Sequence, residues 1–204
     1  MAKANNNQLF SKRDLIKLGV ESLLIVFSVL LALFLNEYRS DVHLERLEKR
    51  ALEKIRAELK ENLATVEEWI PYHREILTNI EAVLKSDSLR AANFPPGELS
   101  YWRLMRKGIV QRLVDNSAWE ALKGSEVFSN LDFETSLLLS KTYKLQNLGV
   151  EVTLKRILDM LSTREARDRS QLTSTLALLR IAFQELVSQE MFLKKTLEET
   201  LQKL

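Results

Sequence analysis

The chain has 204 residues, and its 30 Lys and Arg residues nearly balance its 28 Asp and Glu residues, so the formal net charge is only +2. This balance argues against nucleic acid as a partner, because it provides no strong positive field. The absence of cysteine excludes disulfides, thiolate nucleophiles and cysteine-ligated metal sites. Only five glycines and three prolines accompany 39 leucines, and this scarcity of turn formers predicts an all-α fold.

The first feature along the chain is a short basic and polar tail, residues 1–14. Ser11 and Asp14 form a capping box, which predicts that the following helix begins at Lys12. A basic tail before a single apolar segment favours an N-terminus on the cytoplasmic side, although the Lys and Arg counts on the two sides of that segment are equal.

The stretch over residues 15–36 is predicted to be a transmembrane helix. Its apolar residues from Leu23 to Leu35 cover every face of a helix, as expected where lipid surrounds it. Counted from Leu18, the stretch is about 28 Å long, close to the ~30 Å hydrocarbon core of a bilayer. A buried helix of a soluble protein and a cleaved signal peptide are the alternatives. No small-residue cleavage site follows the stretch, so an uncleaved signal anchor is favoured.

Two polar features inside this segment are candidate interaction sites. Glu21 lies four residues after Lys17, so the two side chains share a helix face. Glu21 is therefore either paired with Lys17 near the membrane boundary, which we favour, or a carboxylate that binds an ion or a basic group of another chain. Ser28 and Ala32 form a small-xxx-small pair, which can bring two transmembrane helices together.

Residues 37–204 are expected to form a helical-bundle domain that begins with a long stalk helix over residues 37–85. Apolar residues recur in the stalk with a seven-residue period from Leu52 to Leu84. Pro71 falls inside this pattern without shifting it and therefore predicts a kink. The stripe is wider than one packed neighbour needs, and for this reason it also predicts a homo-oligomer.

A break over residues 86–100 holds two of the three prolines and predicts a loop. Short helices are expected within residues 97–124, the first of them over residues 97–114. The second opens with a capping box formed by Ser117 and Glu120.

Two long helices are predicted at residues 132–162 and 170–204, where apolar residues recur at spacings of three and four. Asp132 is positioned to cap the first of these helices. Together with the stalk they form an antiparallel bundle, and the short helices are expected at its end far from the apolar segment.

Trp119 is the remaining candidate interaction residue. An aromatic side chain this close to helix-capping signals, with Tyr143 further along the chain, can line a ligand pocket at one end of the bundle. The alternative, which we favour, is that Trp119 and Leu122 cover the open end of the bundle.

No motif in the sequence predicts catalysis or a cofactor. The two histidines, His43 and His73, lie on one predicted helix about 45 Å apart, too far to share a metal ion. His73 occupies a core position of the seven-residue pattern. The sequence has no glycine-rich phosphate loop, no GxSxG serine and no HExxH zinc motif. We therefore expect neither enzymatic activity nor a cofactor or metal.

The segment Val20–Tyr38 resembles the membrane segment of an uncharacterised family of bacterial single-pass membrane proteins. The shared features are a glutamate opening the span, a Leu-Leu-Ala-Leu core and an asparagine near its exit. Trp119–Gly124 is similar to a Trp-x-x-Leu-Lys element in the soluble part of that family. The chain departs from the family at Ser28, where glycine is common, and at Tyr38, where tryptophan is usual. The resemblance implies a bacterial cytoplasmic membrane and an N-terminus inside, but no activity.

These observations predict a membrane-anchored helical interaction or scaffold protein that acts by protein–protein contact outside the cytoplasm. Its expected partners are the lipid bilayer and a second copy of the chain or another membrane protein, and the sequence does not indicate a small-molecule ligand. One alternative is an extracytoplasmic sensor or ligand-binding bundle, which requires a closed pocket near Trp119. The other is an accessory subunit of a transporter or channel, which requires a partner at Glu21.

Overall fold

The computed structural model of the protein describes residues 12–110 and 112–204, and these residues form helices and connecting turns without a β-strand. The predicted all-α fold is therefore confirmed. The helices are α1 (Lys12–Lys85), α2 (Asp87–Asn93), α3 (Ser117–Lys123), α4 (Val127–Asn130), α5 (Phe133–Leu145), α6 (Val152–Leu161) and α7 (Leu172–Lys203). The predicted capping residue Ser11 lies outside the described residues.

The chain divides into two units, of which the first ends at Lys49. All side chains of α1 from residue 12 to residue 41 are exposed. The most apolar 18 residues of α1 have a mean hydropathy of 2.5, and none of them is buried. The helix is therefore long and apolar enough to cross a membrane.

The second unit, Arg50–Leu204, is built around three long helical stretches. α7 runs antiparallel to α1. The Arg56 guanidinium donates to the Leu201 carbonyl (3.0 Å), and further along α1 His73 Nδ1 lies 2.6 Å from Glu190 Oε1. The residue numbers on α7 therefore decrease as those on α1 increase, as they do in an antiparallel pair.

The third stretch consists of α5 and α6, joined without interruption by a π-helical segment, Gln146–Glu151. It is antiparallel to α7, because the hydroxyls of Thr142 and Thr200 lie 2.8 Å apart and Arg156 forms an ion pair with Glu185. α5 and α6 therefore run parallel to α1.

Because α1 and α5 are parallel, the chain must return along the bundle between them, and residues 105–118 make this return. The contacts from Tyr72 to Gly108 and from Glu58 to Ala118 show that this return segment is antiparallel to α1. It fills the place that the second helix holds in an up-down-up-down four-helix bundle.

The predicted helix over residues 97–114 is wrong. Among the described residues of this range, only Tyr101–Arg103 is helical, as a single 3-10 turn. Gly97 and Gly108 have positive φ angles of 85° and 79°, a backbone conformation that interrupts a right-handed helix and that glycine adopts readily.

Side chains of α1 form hydrogen bonds with backbone groups of the return segment. These bonds replace the ones that the same groups would form with each other in a helix. Asn62 Oδ1 accepts from the Asp115 N–H (2.7 Å), and its Nδ2 donates to the Asp115 carbonyl (2.6 Å). The Tyr72 hydroxyl donates to the Gly108 carbonyl (2.6 Å) and accepts from the Lys107 N–H (3.0 Å). Because backbone groups outside a helix require other partners, these polar side chains stabilise the non-helical path of the return segment.

Two helix starts differ from the predictions. The expected loop over residues 86–100 begins with α2, whose Leu89 N–H donates to the Ser86 hydroxyl (3.3 Å). The capping box of Ser117 and Glu120 is also wrong. Asp115 Oδ1 takes the capping role instead, accepting from the Ser117 N–H at 3.0 Å.

The short helices α3 and α4 lie at the opposite end of the bundle from the one predicted. Ala118, in α3, donates its N–H to Glu58 Oε2 (2.7 Å), and Trp119 stacks on Tyr143 at the beginning of the long helices. The opposite end is closed instead by α2, the 3-10 turns and the connection between α6 and α7, where Arg169 donates to the Phe94 carbonyl (2.9 Å).

The core of the second unit covers the apolar stripe of α1 with side chains of the same chain. The stripe side chains without any exposure are Ile55, Leu59, Val66, Ile76 and Ile80. They face α5 to α7 and the return segment, where Leu139, Val150, Leu176, Leu186 and Leu193 are likewise wholly buried. The width of the stripe, which led us to expect a homo-oligomer, is thus explained by contacts within one chain.

Candidate functional site

Two polar side chains of the apolar segment, Glu21 and Ser28, have partners within their own helix. Lys17 Nζ lies 4.0 Å from Glu21 Oε1, and both side chains are exposed. The Ser28 hydroxyl donates to the Leu24 carbonyl (2.8 Å), one turn earlier, and Ala32 is exposed. The Ser28 hydroxyl therefore needs no second chain to satisfy its hydrogen bonding, and Glu21 has a cation of its own helix at ion-pair distance.

Trp119 is buried in an aromatic cluster at the end of the bundle where α5 begins. Its ring stacks on Tyr143, with centroids 5.3 Å apart and planes inclined by 3°, and meets the edge of Phe128 at 5.8 Å. The Tyr143 hydroxyl donates to Glu58 Oε1 (2.6 Å). Burial and the neighbouring Glu58 carboxylate raise the pKa of Tyr143. The side chains of Tyr143, Phe128 and Glu58 fill the space around Trp119. Trp119 does not line the cleft at the other end of the bundle.

A buried acid–base pair lies in the middle of the bundle. His73 binds Glu190 through Nδ1 (2.6 Å) and the Ile109 carbonyl through Nε2 (2.8 Å). Neither side chain of the pair has any solvent exposure, and burial raises the pKa of the Glu190 carboxyl. Two buried atoms nearby, Glu190 Oε2 and Trp69 Nε1, have no hydrogen-bond partner within the described part of the chain.

No group of three or more His, Asp or Glu side chains in the described part of the chain is arranged to hold a metal ion. His43 is exposed and lies in the other unit, far along α1 from His73. Glu190 joins His73 because α7 packs on α1. Its position carries a signal that sequence reasoning missed, since Glu190 follows Phe183 and Leu186 at the three- and four-residue steps that continue to Leu193.

A cleft of about 340 Å³ opens where the return segment meets the end of α6. Its walls come from three parts of the chain: residues 99–109, the last turn of α6, and the 3-10 turn Glu165–Arg167. Trp102, Leu158 and Arg167 are the lining residues with the most chemical interest, and sequence reasoning missed all three. The cleft could not be read from the sequence, because it depends on the non-helical path of residues 97–114.

An apolar edge is exposed between α6 and α7. Val152 lies one turn before Arg156, and Phe192 lies two turns after Glu185, so the ion pair of Arg156 with Glu185 places both apolar residues along the same groove. Leu148, Val152 and Phe192 are 65%, 52% and 59% exposed. The π-helical segment that precedes Val152 is of a type often found at functional sites.

The comparisons with known proteins do not add a relative. No family model, curated protein or solved structure matches the chain.

Proposed function

We propose that the protein is a membrane-anchored helical interaction protein of a bacterial cytoplasmic membrane, with residues 15–36 as its transmembrane helix. The complete exposure of the apolar part of α1 supports this proposal. A core helix of a soluble protein would bury these side chains, whereas a bilayer covers an apolar helix on all faces. The N-terminus lies inside the cell and the second unit outside it. The basic tail and the family resemblance support this orientation.

The apolar edge of Leu148, Val152 and Phe192 is the observation that carries the interaction function. More than half of each of these side chains is exposed on the second unit, and clustered exposed apolar residues are typical of contact surfaces. The partner that we propose is a second copy of the chain, because a two-fold contact would cover this edge on both copies at once, and the exposed ion pair of Arg156 with Glu185 beside the edge can exchange partners between the copies.

Orientation and self-association are tested separately. A reporter enzyme active only outside the cytoplasm, fused after Leu204, should be active. Activity confined to a cytoplasmic reporter at the same site would reverse the orientation. For self-association, the photo-crosslinking amino acid benzoyl-phenylalanine is placed at Phe192 in cells that carry two differently tagged copies. A crosslink containing both tags is expected, and the matched control position is the exposed Lys195, on the same helix.

A second candidate function is a ligand-binding sensor, and the cleft beside Arg167 is the observation that favours it. Its volume of about 340 Å³ falls at the lower end of the ~300–1,000 Å³ that is usual for small-molecule sites. The cleft lies at the opposite end of the bundle from Trp119. The ligand pocket that the sequence suggested was beside Trp119. The accessory-subunit alternative depends on Glu21 and is tested through that residue.

A further inference from the structure

We propose that the cleft beside Arg167 binds a small anionic amphiphile, a carboxylate attached to an aromatic or short aliphatic body. This inference rests on the second candidate function and names its ligand class. Three properties of the cleft favour such a ligand: walls that are fixed without a ligand, an apolar interior, and a single unpaired positive charge.

Hydrogen bonds within the chain hold the walls of the cleft in place. The Tyr101 hydroxyl donates to the Ala166 carbonyl (2.9 Å) and so ties the 3-10 turn before the return segment to the turn before α7. Arg169 donates to the carbonyls of Phe94 (2.9 Å) and Glu98 (2.8 Å), which anchors the residues that lead into this wall. The floor is fixed by the bond from His73 Nε2 to the Ile109 carbonyl. A site with walls held in this way loses little conformational entropy when a ligand binds.

The interior of the cleft suits an apolar body. Met105 and Ile109 form a buried floor, while Leu158 and Trp102 remain 45% and 67% exposed although both line the cleft. A ligand in the cleft would remove apolar surface of Leu158 and Trp102 from water, which favours binding. The volume fits a ligand with about a dozen non-hydrogen atoms better than a long lipid chain.

The positive charge in the cleft favours a ligand with a negative charge. Among the described residues that line the cleft, Arg167 is the only charged one and none is acidic. Within the described part of the chain, the Arg167 guanidinium has no ion pair and no hydrogen bond, in contrast to Arg103, which pairs with Glu98 at 3.0 Å. A free guanidinium beside an apolar cleft matches a carboxylate, which it can bind through two parallel hydrogen bonds. The Ser100 hydroxyl also lines the cleft and offers a further donor.

Binding is tested with the full chain in nanodiscs of zwitterionic phosphatidylcholine, with empty nanodiscs as the reference. The probes are 4-phenylbutyrate and its uncharged primary amide, and binding is measured by equilibrium dialysis. We expect saturable binding of one carboxylate per chain, with the amide weaker by about tenfold, since it lacks the charge-assisted hydrogen bonds.

Two variants and one control locate the site. Arg167→Gln should remove the preference for the carboxylate over the amide, and Leu158→Trp should block both probes by filling the cleft. The matched control is Arg164→Gln, an exposed arginine three residues earlier that does not line the cleft and should keep the preference. The inference is overturned if the two probes bind equally well to the native chain, if neither shows saturable binding, or if Leu158→Trp leaves binding unchanged.

The crosslink at Phe192 separates this inference from the proposed interaction function. Loss of carboxylate binding with an intact crosslink would overturn only the ligand. Carboxylate binding in a chain that gives no crosslink would overturn only the contact between copies.

Discussion

His73 Nδ1 lies 2.6 Å from Glu190 Oε1 in the middle of the bundle, and both side chains are completely shielded from solvent. The other ring nitrogen of His73 faces the Ile109 carbonyl, which can only accept a hydrogen bond, so Nε2 carries a hydrogen. One further hydrogen is therefore shared between Nδ1 and the Glu190 carboxyl, which lie at hydrogen-bond distance. The electrostatic state of the core thus depends on this proton.

The first prediction concerns the pH dependence of stability. Burial raises the pKa of Glu190, so the folded chain holds this proton more tightly than the unfolded chain, in which the pKa is about 4.3. The stabilising contribution is complete below about pH 4 and is lost as the pH rises through the raised pKa. Glu190→Gln cannot ionise, so its stability relative to the native chain should increase with pH.

The measurement is the unfolding temperature of the full chain in detergent between pH 4 and pH 9, followed by tryptophan fluorescence. Glu185→Gln, which changes an exposed carboxylate on the same helix, is the control and should show no such trend. Parallel curves for Glu190→Gln and the native chain would contradict the prediction.

The second prediction concerns the two partners of His73. His73→Leu leaves the Glu190 carboxyl and the Ile109 carbonyl without a donor inside the core, and we expect a loss of about 3–5 kcal/mol in the free energy of unfolding. The double variant His73→Leu/Glu190→Leu removes the buried acid and should recover more than half of that loss. Urea titrations of the three chains check this expectation, which fails if the double variant is less stable than His73→Leu.

The third prediction concerns the attachment of the return segment to α1. Asn62 Nδ2 donates both to the Asp115 carbonyl (2.6 Å) and to Gln146 Oε1 (3.1 Å). Asn62→Asp keeps the shape but places a carboxylate oxygen against these two acceptors, and we expect a loss of about 2–3 kcal/mol in stability. Asn79→Asp, further along the same helix and only half-buried, is the matched control and should cost less than about 0.5 kcal/mol. Equal losses for the two variants would show that the Asn62 contacts contribute little.

The fourth prediction concerns Glu21 and the accessory-subunit alternative. If pairing with Lys17 is its whole role, Glu21→Gln should leave membrane insertion, oligomer mass and co-purifying proteins unchanged. A charge near the membrane boundary costs less than the ~2.5–3.5 kcal/mol of a charge at the membrane centre, so insertion does not depend on neutralising it. Release of a co-purifying membrane protein by Glu21→Gln, with the helix content intact, would instead favour the accessory-subunit function.

The register of the core could be predicted from the sequence, but the path of the return segment could not. Ile55 and Ile76 belong to a seven-residue pattern that is visible in the sequence, and both are wholly buried. Asn62 occupies the same position of this pattern as Ile55, so its burial could be predicted but its partner could not. Tyr72 looks like an ordinary polar residue of a stalk helix. Their backbone partners lie 53 and 36 positions away along the chain, and nothing local in the sequence links them.

The candidate sites, too, could be predicted only in part, because they depend on contacts between distant parts of the chain. The aromatic ring of Trp119 stands out in the sequence, and the structure places it in a filled cluster with Tyr143. Arg167 lies in a charged run that reads as solvated, and its neighbours in the cleft come from segments far apart in the chain. A cleft that depends on a non-helical segment is invisible to any argument that assumes helices there.

The antiparallel pairing of α1 with α7 determines when the protein can fold during its synthesis. His73 and Glu190 are 117 positions apart, and Arg56 and Leu201 are 145 apart. A ribosome that adds ~5–20 residues per second needs roughly 6–23 s to extend the chain from His73 to Glu190. During this time the apolar stripe of α1 has been made but lacks its cover. A chain truncated before Leu172 would therefore lack α7 and leave the apolar stripe of α1 permanently uncovered.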